Sequence, residues 1–245
     1  MARLEEIVVE NRSPERLAAL IGDERATRFM RVAEATRERL GGRAVINVNS
    51  TGKGGGVAEL LQTLLAYARG VGVDARWFVV EGDPTFFEVT KRIHNHLYGT
   101  PGDGGPLGQA ERQAYERTLR ANADDLAALV RPGDVVVLHD PQTAALAEVA
   151  REAGGVVVWR SHVGVDEPNA EVDEAWAFLR PYVEGADAFV FSRRAFAPPW
   201  IADDRLHVIN PSIDPFSAKN YEMSQVEAAR VLRFIGLLAG DPHPE

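Results

Sequence analysis

Residues Ala44 to Val71, reading AVINVNSTGKGGGVAELLQTLLAYARGV, constrain the fold of this chain more than any other stretch. Ala44-Val45-Ile46-Asn47-Val48-Asn49 is a short apolar and β-branched run, the composition of a buried strand. Ser50 to Gly55 is a polar, glycine-rich bend. From Gly56 onward, Val57, Leu60, Leu61, Leu64, Leu65 and Ala68 recur at the spacing of one apolar helix face, closed by Gly70 and Gly72. The unit is strand, glycine turn, helix.

A helix that starts directly after glycines presents unpaired main-chain N–H groups and the positive end of its dipole. No Cβ atoms there hold off a phosphate or sugar oxygen. Gly54, Gly55 and Gly56 are therefore candidate substrate-binding residues, against the alternative of a tight turn that binds nothing. Two familiar phosphate loops do not fit. A Walker loop needs Gly-Lys-Ser/Thr after its spacer, whereas Lys53 precedes the glycine triplet; the dinucleotide fingerprint wants a third glycine where Val57 stands.

Along the chain, Met1 to Gly22 reads as an arm with one apolar run, Ile7-Val8-Val9, that packs on the main domain. Asp23 is expected to cap a helix running to Leu40, stopped by Gly41-Gly42. After the organising unit come a strand at Ala75–Val80 and a helix capped by Asp83, with Pro84 at its first position, running to about Leu97. Gly99 to Gly108 is a flexible loop by composition, followed by a helix from Gln109 to Val130. Strands at Asp134–Leu138, Val156–Trp159, Ala188–Phe191 and Leu206–Ile209 alternate with helices at about Thr143–Ala153 and Asn169–Val183, the latter interrupted near Pro181. Such alternation predicts an α/β, Rossmann-like, doubly wound and mostly parallel sheet with helices on both faces. The organisation expected is an N-terminal arm and helix over residues 1–42, a main domain over 43–217, and a helical segment over 218–245.

In a sheet of this kind ligands lie outside the carboxyl ends of the strands. The glycine loop, His139-Asp140, Arg160-Ser161-His162, Ser192-Arg193-Arg194 and Asn210 to Asp214 all stand there and are expected to share one crevice. His139 and Asp140 read either as a hydrogen-bonding pair for sugar hydroxyls, or as a half-buried imidazole beside a helix cap. His162 reads as a neutral imidazole against a sugar hydroxyl or a developing charge, or as a structural histidine. Arg193 and Arg194 either bind an anion or solvate a strand end. His94 and His96, two apart on a helix, point to different sides and do not share a metal; Lys91, Asn95 and His96 are instead a candidate polar edge toward an acceptor.

A formal charge of −9 argues against nucleic acid or an anionic membrane as partner, and zero cysteine excludes thiolate metal sites and is compatible with the cytosol. The first thirty residues carry Glu5, Glu6, Glu10, Asp23 and Glu24, which suits neither a signal peptide nor an anchor, so a cytoplasmic protein is expected.

Taken in order, Val48-Asn49-Ser50-Thr51, Gly54-Gly55-Gly56-Val57-Ala58-Glu59-Leu60-Leu61, Phe86-Phe87-Glu88-Val89-Thr90-Lys91, His94-Asn95, His139-Asp140-Pro141-Gln142, Trp159-Arg160-Ser161-His162 and Pro211-Ser212-Ile213-Asp214-Pro215 resemble the N-terminal half of the trehalose glycosyltransferring synthases. These are family-4 retaining glycosyltransferases built from two Rossmann-like domains, the GT-B architecture. The resemblance spans about Ala44 to Ser217. It implies that residues 43–217 bind an acceptor sugar, glucose, while a second domain binds a nucleoside-diphosphate glucose; the product is α,α-trehalose. It implies further that Gly55 and Gly56 lie near the donor diphosphate, that Asp140 hydrogen-bonds a sugar and that His162 sits at the reacting face. Asp140 and His162 are then the candidate catalytic residues, with Gly54, Gly55, Gly56, His139, Arg160, Lys91 and Asn95 binding substrate. No resident cofactor and no protein-held metal are implied, since the chain lacks an Asp-x-Asp triplet; a divalent ion carried by the nucleotide, and a homodimer, remain open.

Two departures stand out. Members of the family often read Cys-His-Ile-Asp where this chain has Ser161-His162-Val163-Gly164, which leaves Asp166 as the nearest acid. The Glu pair eight residues apart that marks the donor-binding half is absent, so this chain is expected to be the acceptor-binding domain alone and inactive unaided. The competing expectations are a free-standing sugar- or phosphate-binding domain, and a subunit that docks a separate donor-binding partner through apolar residues of Ser224–Leu238. An epimerase or dehydrogenase needs the dinucleotide fingerprint that is missing here.

Overall fold

The computed structural model describes residues 4–240. In chain order the elements are β1 (Glu5–Glu6), α1 (Glu15–Ile21), α2 (Asp23–Leu40), β2 (Val45–Asn49), α3 (Gly56–Gly70), β3 (Ala75–Val79), α4 (Pro84–Leu97) and α5 (Gln109–Leu129). There follow β4 (Val135–His139), a 3-10 turn (Pro141–Leu146), α6 (Ala147–Glu152), β5 (Val156–Ser161), α7 (Ala170–Val183), β6 (Ala188–Phe191), β7 (Leu206–Val208) and α8 (Gln225–Phe234). The seven strands form one sheet in the order β1-β3-β2-β4-β5-β6-β7, parallel except for β1. The α/β, doubly wound, mostly parallel fold expected from the alternation is the fold observed.

Apolar side chains are buried on both faces of the sheet, with β3 alternating Trp77 and Val79 on one face and Phe78 on the other. Ala75, Trp77 and Val79 pack with Ala58, Leu61, Leu65 and Ala66 of α3 on one face. Ile46, Val48 and Phe78, with Val136, Leu138, Val157 and Trp159, pack against α4, α5, α6 and α7 on the other. The strand order reverses between β2 and β4: β2 leads to β3 on one side, and the chain returns to β4 on the other. Asn49 and His139 stand at that switch point, at the carboxyl ends of β2 and β4, the place where ligands lie in sheets of this kind.

Several local expectations are corrected. Gly22, not Asp23, caps α2, and Asp23 is its first residue. The polar stretch after Pro14, for which the sequence suggests no regular element within the arm, forms α1. The segment after Asp140 begins as a 3-10 turn and becomes α-helical only at Ala147. Pro181 lies in the last turn of α7 without ending it; the helix gives up one hydrogen bond there and keeps Leu179 and Val183 buried. The Asp83 cap is as expected, its carboxylate accepting from Phe86 N at 2.8 Å with Pro84 at the first position.

The N-terminal arm joins the sheet by main-chain pairing, with Glu5 opposite Val79, Glu6 opposite Phe78, and Ile7 N donating to Trp77 O at 2.8 Å. Val9 is buried against the α3 side. Arg12 N donates to Ala66 O, and the arm passes so close to α3 that a Cβ at Gly70 would stand 1.9 Å from the Arg12 carbonyl oxygen. The chain divides into two compact units, Met1–Pro211 and Ser212–Glu245. In the second, Ser224 and Glu227 form a capping box at the start of α8, and Val226, Val231, Phe234, Ile235, Leu237 and Leu238 are exposed. The tail Asp241-Pro242-His243-Pro244-Glu245 lies outside the described residues.

Candidate functional site

The site begins where β2 ends. The Asn49 side chain is buried; its Oδ1 accepts from Trp77 Nε1 at 2.8 Å and its Nδ2 donates to Thr51 O at 2.8 Å. Thr51 Oγ1 in turn donates to Lys53 O at 2.7 Å and accepts from Lys53 N. The bend is thus held from beneath by the strand that precedes it. Gly54 and Gly55 follow with φ of +71° and +81°, a region that L side chains rarely adopt, and Gly56 opens α3. A Cβ at any of the three would meet nothing within 4 Å, so the start of α3 is an open, exposed surface. Gly52 differs: a Cβ there would lie 2.7 Å from Ile7 Cδ1 of the N-terminal arm, so its glycine serves packing rather than ligand approach.

On the other side of the switch point β4 delivers His139 and Asp140, and β5 delivers Arg160, Ser161 and His162. His139 and Arg160 are register partners, and Asp140 N donates to Arg160 O at 2.8 Å. Asp140 has φ of +63° and is the one non-glycine residue with positive φ among the described residues. Such a conformation costs on the order of 1–3 kcal/mol and persists only when its surroundings fix it. Here Thr143 Oγ1 donates to His139 O, Tyr115 Oη donates to Pro141 O at 2.6 Å, and Asp140 Oδ1 accepts from His162 N at 2.7 Å. The carboxylate therefore does not cap the following turn, as one sequence reading allowed, but reaches across to the end of β5.

The two imidazoles meet directly. His139 Nδ1 lies 3.1 Å from His162 Nε2, the ring planes are inclined by 17°, and the ring centroids are 5.4 Å apart. A centroid separation that large is reached only when both nitrogens lie between the centroids, so the rings join edge to edge. On its far side His139 Nε2 lies 3.1 Å from Asn47 Oδ1.

Burial governs the charges. The Asp140 carboxyl is pushed up to about 7 by desolvation, against the opposing pull of the His162 N–H and the Arg160 guanidinium. His139 is driven well below the ordinary imidazole range by burial, aided by His162 and Arg160. His162 falls to about 4 from burial and the Arg160 charge. Near neutral pH the cluster holds two neutral imidazoles, one carboxyl close to its midpoint, and a buried guanidinium lowered by desolvation and sustained by Asp140. Neutral imidazoles beside a carboxyl suit hydrogen bonding to a polyhydroxyl ligand.

The structure brings His139, Asp140, Arg160 and His162 together. Lys91 and Asn95 lie on α4, and among the described residues no hydrogen bond joins them to this cluster. Lys91 is exposed, and Asn95 lies against the following loop, where a Cβ at Gly102 would approach its Nδ2 to 2.6 Å. His96 is turned inward, with Nδ1 3.4 Å from Glu174 Oε2 of α7, so it is no part of a polar edge. Asp166 and Arg193 pair with each other at 2.7 Å, and Arg194 pairs with Asp203. Gly164 is required where it stands, because a Cβ would lie 2.3 Å from Phe196. Among the described residues no group of three or more His, Cys, Asp or Glu is placed to hold a metal ion, and no helix is long and apolar enough to cross a membrane. Asn47 is the residue that sequence reasoning passed over. Its signal was an amide in the middle of a β-branched strand, two residues before Asn49.

A family model described as trehalose synthase, N-terminal domain, matches residues 47–198. The chain is 37% identical over 234 residues to a trehalose synthase of Pyrococcus horikoshii, covering 95% of this chain and 53% of that protein. It is 38% identical over 213 residues to a trehalose synthase of Thermococcus litoralis, covering 87% of this chain and 49% of that one. The chain thus spans about half the length of the curated relatives it matches. A solved structure described as "Trehalose-6-phosphate from E. coli bound with UDP-2-fluoro glucose" shares the fold with a TM-score of 0.51 at 16% identity, over 70% of this chain and 50% of that one.

Proposed function

This chain belongs to the trehalose synthase N-terminal domain family, and from that premise we propose that it is the acceptor-binding half of a retaining glycosyltransferase. The complete enzyme moves glucose from a nucleoside-diphosphate glucose onto glucose and forms α,α-trehalose. His162 contacts the transferred sugar at the reacting face and Asp140 accepts from a sugar hydroxyl. Arg160 keeps positive charge beside them, and the N–H groups at Gly54, Gly55 and Gly56 face the donor diphosphate. In this reading the leaving phosphate takes the acceptor proton, and the chain's own groups position the sugars rather than carry a covalent intermediate.

The observation that carries the proposal is the convergence of Asp140 and His162, the former strained and bonded to the latter, at the carboxyl ends of adjacent parallel strands. A domain that only needed a stable sheet has no use for a buried carboxyl near its midpoint. The relatives' names support the trehalose product, and the UDP-2-fluoro glucose of the E. coli neighbour supports a nucleotide-linked donor.

The test is to join this chain to the second half of the Pyrococcus horikoshii relative and supply a nucleoside-diphosphate glucose with glucose. Formation of α,α-trehalose, lost by at least about 100-fold in the His162→Ala version, is the expected result. A folded chimera that makes no disaccharide, while the relative's own two halves do so under the same conditions, would overturn the proposal.

A further inference from the structure

We infer that Asn47, a buried amide in the middle of β2, is a positioning residue: it fixes which nitrogen of His162 carries the proton, so that His162 meets a sugar hydroxyl only as an acceptor, through Nδ1. The inference deepens the proposed function and rests on its placing of His162 at a sugar.

The argument runs outward from the amide. Asn47 is 4% exposed, so each end of its side chain needs a protein partner. Nδ2 faces the Arg76 carbonyl oxygen at 3.5 Å, and Oδ1 lies 3.1 Å from His139 Nε2. The reversed amide would set oxygen against carbonyl oxygen, so the network assigns the orientation observed. An amide oxygen only accepts; the proton between Asn47 and His139 is therefore on His139 Nε2. His139 is 1% exposed and is kept neutral by its burial, so its Nδ1 holds a lone pair. Only His162 Nε2 is left to donate across the 3.1 Å that separates it from that nitrogen. The edge-to-edge meeting of the rings is the geometry such a bond requires. Neutral His162 then has its free lone pair on Nδ1.

The consequence is chemical selectivity. A hydroxyl donates to that nitrogen, whereas a phosphate, ether or carbonyl oxygen has no proton to offer it. Asn47 touches no substrate in this scheme and acts through His139.

Long-range proton–nitrogen NMR of the histidine rings at about neutral pH reads the tautomers of the unsubstituted chain directly. Both His139 and His162 are expected in the Nε2–H form; His162 found in the Nδ1–H form would overturn the inference. In Asn47→Leu, which removes the acceptor at similar volume, the two rings are expected to populate both tautomers, with glucose binding weakened about tenfold, as for one lost hydrogen bond. A folded Asn47→Leu protein whose rings keep the wild-type tautomers would also overturn it. The two claims separate in the wild type: the expected tautomers without any glucose binding would remove the sugar-site reading and leave the Asn47 assignment standing.

Discussion

Asp140 Oδ1 accepts a hydrogen bond from His162 N at 2.7 Å, joining the end of β4 to the end of β5 through a side chain whose own backbone sits at φ +63°. The bond ties the carboxyl to the backbone that carries the His162 ring, while the ring itself meets His139.

The raised Asp140 pKa makes stability depend on pH in a calculable direction. Its ordinary value is 3.8 and its folded value about 7, so between these the folded chain holds a proton that the unfolded chain has lost. That contribution is complete below about pH 4 and is lost as pH rises through about 7. His139 and His162 act in the opposite sense, their folded values lying below 6.5, so stability rises with pH from about 4, where His162 titrates, to 6.5. The two histidines oppose the carboxyl, and their contribution fades only gradually above 6.5, so the carboxyl's share is read against a variant that lacks it. Relative to Asp140→Asn, whose amide oxygen still accepts from His162 N, the wild-type urea midpoint should fall progressively between about pH 5 and pH 8. A wild-type midpoint that holds or rises relative to that variant over the interval contradicts the assignment.

Tyr115 is fully buried in α5, donates from Oη to Pro141 O at 2.6 Å and accepts from Ala145 N at 3.3 Å. Tyr115→Phe leaves both main-chain groups without that partner and should cost about 1–3 kcal/mol in urea denaturation. A loss below about 0.5 kcal/mol would mean that the turn after Asp140 holds itself.

The arm makes a third test. Gly70→Ala improves helix propensity by about 1 kcal/mol in isolation. The new Cβ, however, meets the Arg12 carbonyl oxygen at 1.9 Å, and a main-chain group moves only with its whole segment. The clash should win, lowering stability by about 1–3 kcal/mol and exposing residues before Pro14 to early proteolysis. A variant as stable and as protease-resistant as the wild type would show the arm to be loosely held.

Gly56→Ala separates stability from ligand approach. Gly56 begins α3 without a positive φ, and a Cβ there meets no atom, so stability should change by less than about 0.5 kcal/mol. In the two-half chimera, calorimetry should nevertheless find nucleoside-diphosphate glucose bound about tenfold more weakly, because the methyl group shields the N–H groups at the helix start. Unchanged affinity would remove the glycine triplet from the donor site.

The sheet was legible because strands alternate with helices along the chain and β4 is a continuous apolar run, and the rule that ligands lie outside the carboxyl ends of such strands then pointed to His139, Asp140 and His162 without coordinates. β1 was not legible: Glu5 and Glu6 pair through main-chain groups, which leave no side-chain pattern. Nor was the inward turn of His96, because neighbours on a helix face are readable only once the packed side is known. The Asp140–His162 bond was hidden for a different reason. It depends on a φ of +63° that no local propensity of aspartate announces, and on a partner 22 residues away. Asn47 was masked by its setting, since an amide between Ile46 and Val48 reads as part of the apolar run that leads into the glycine turn.

The central claim is that a sugar binds at the carboxyl ends of β2, β4 and β5, and titrating glucose into the nitrogen-15-labelled chain tests it most directly. The account predicts saturable amide and imidazole shifts centred on His139, Asp140, Arg160 and His162, removed by Asp140→Asn combined with His162→Ala in a protein that remains folded. Shifts absent at saturating glucose, or centred elsewhere on the chain, would contradict it.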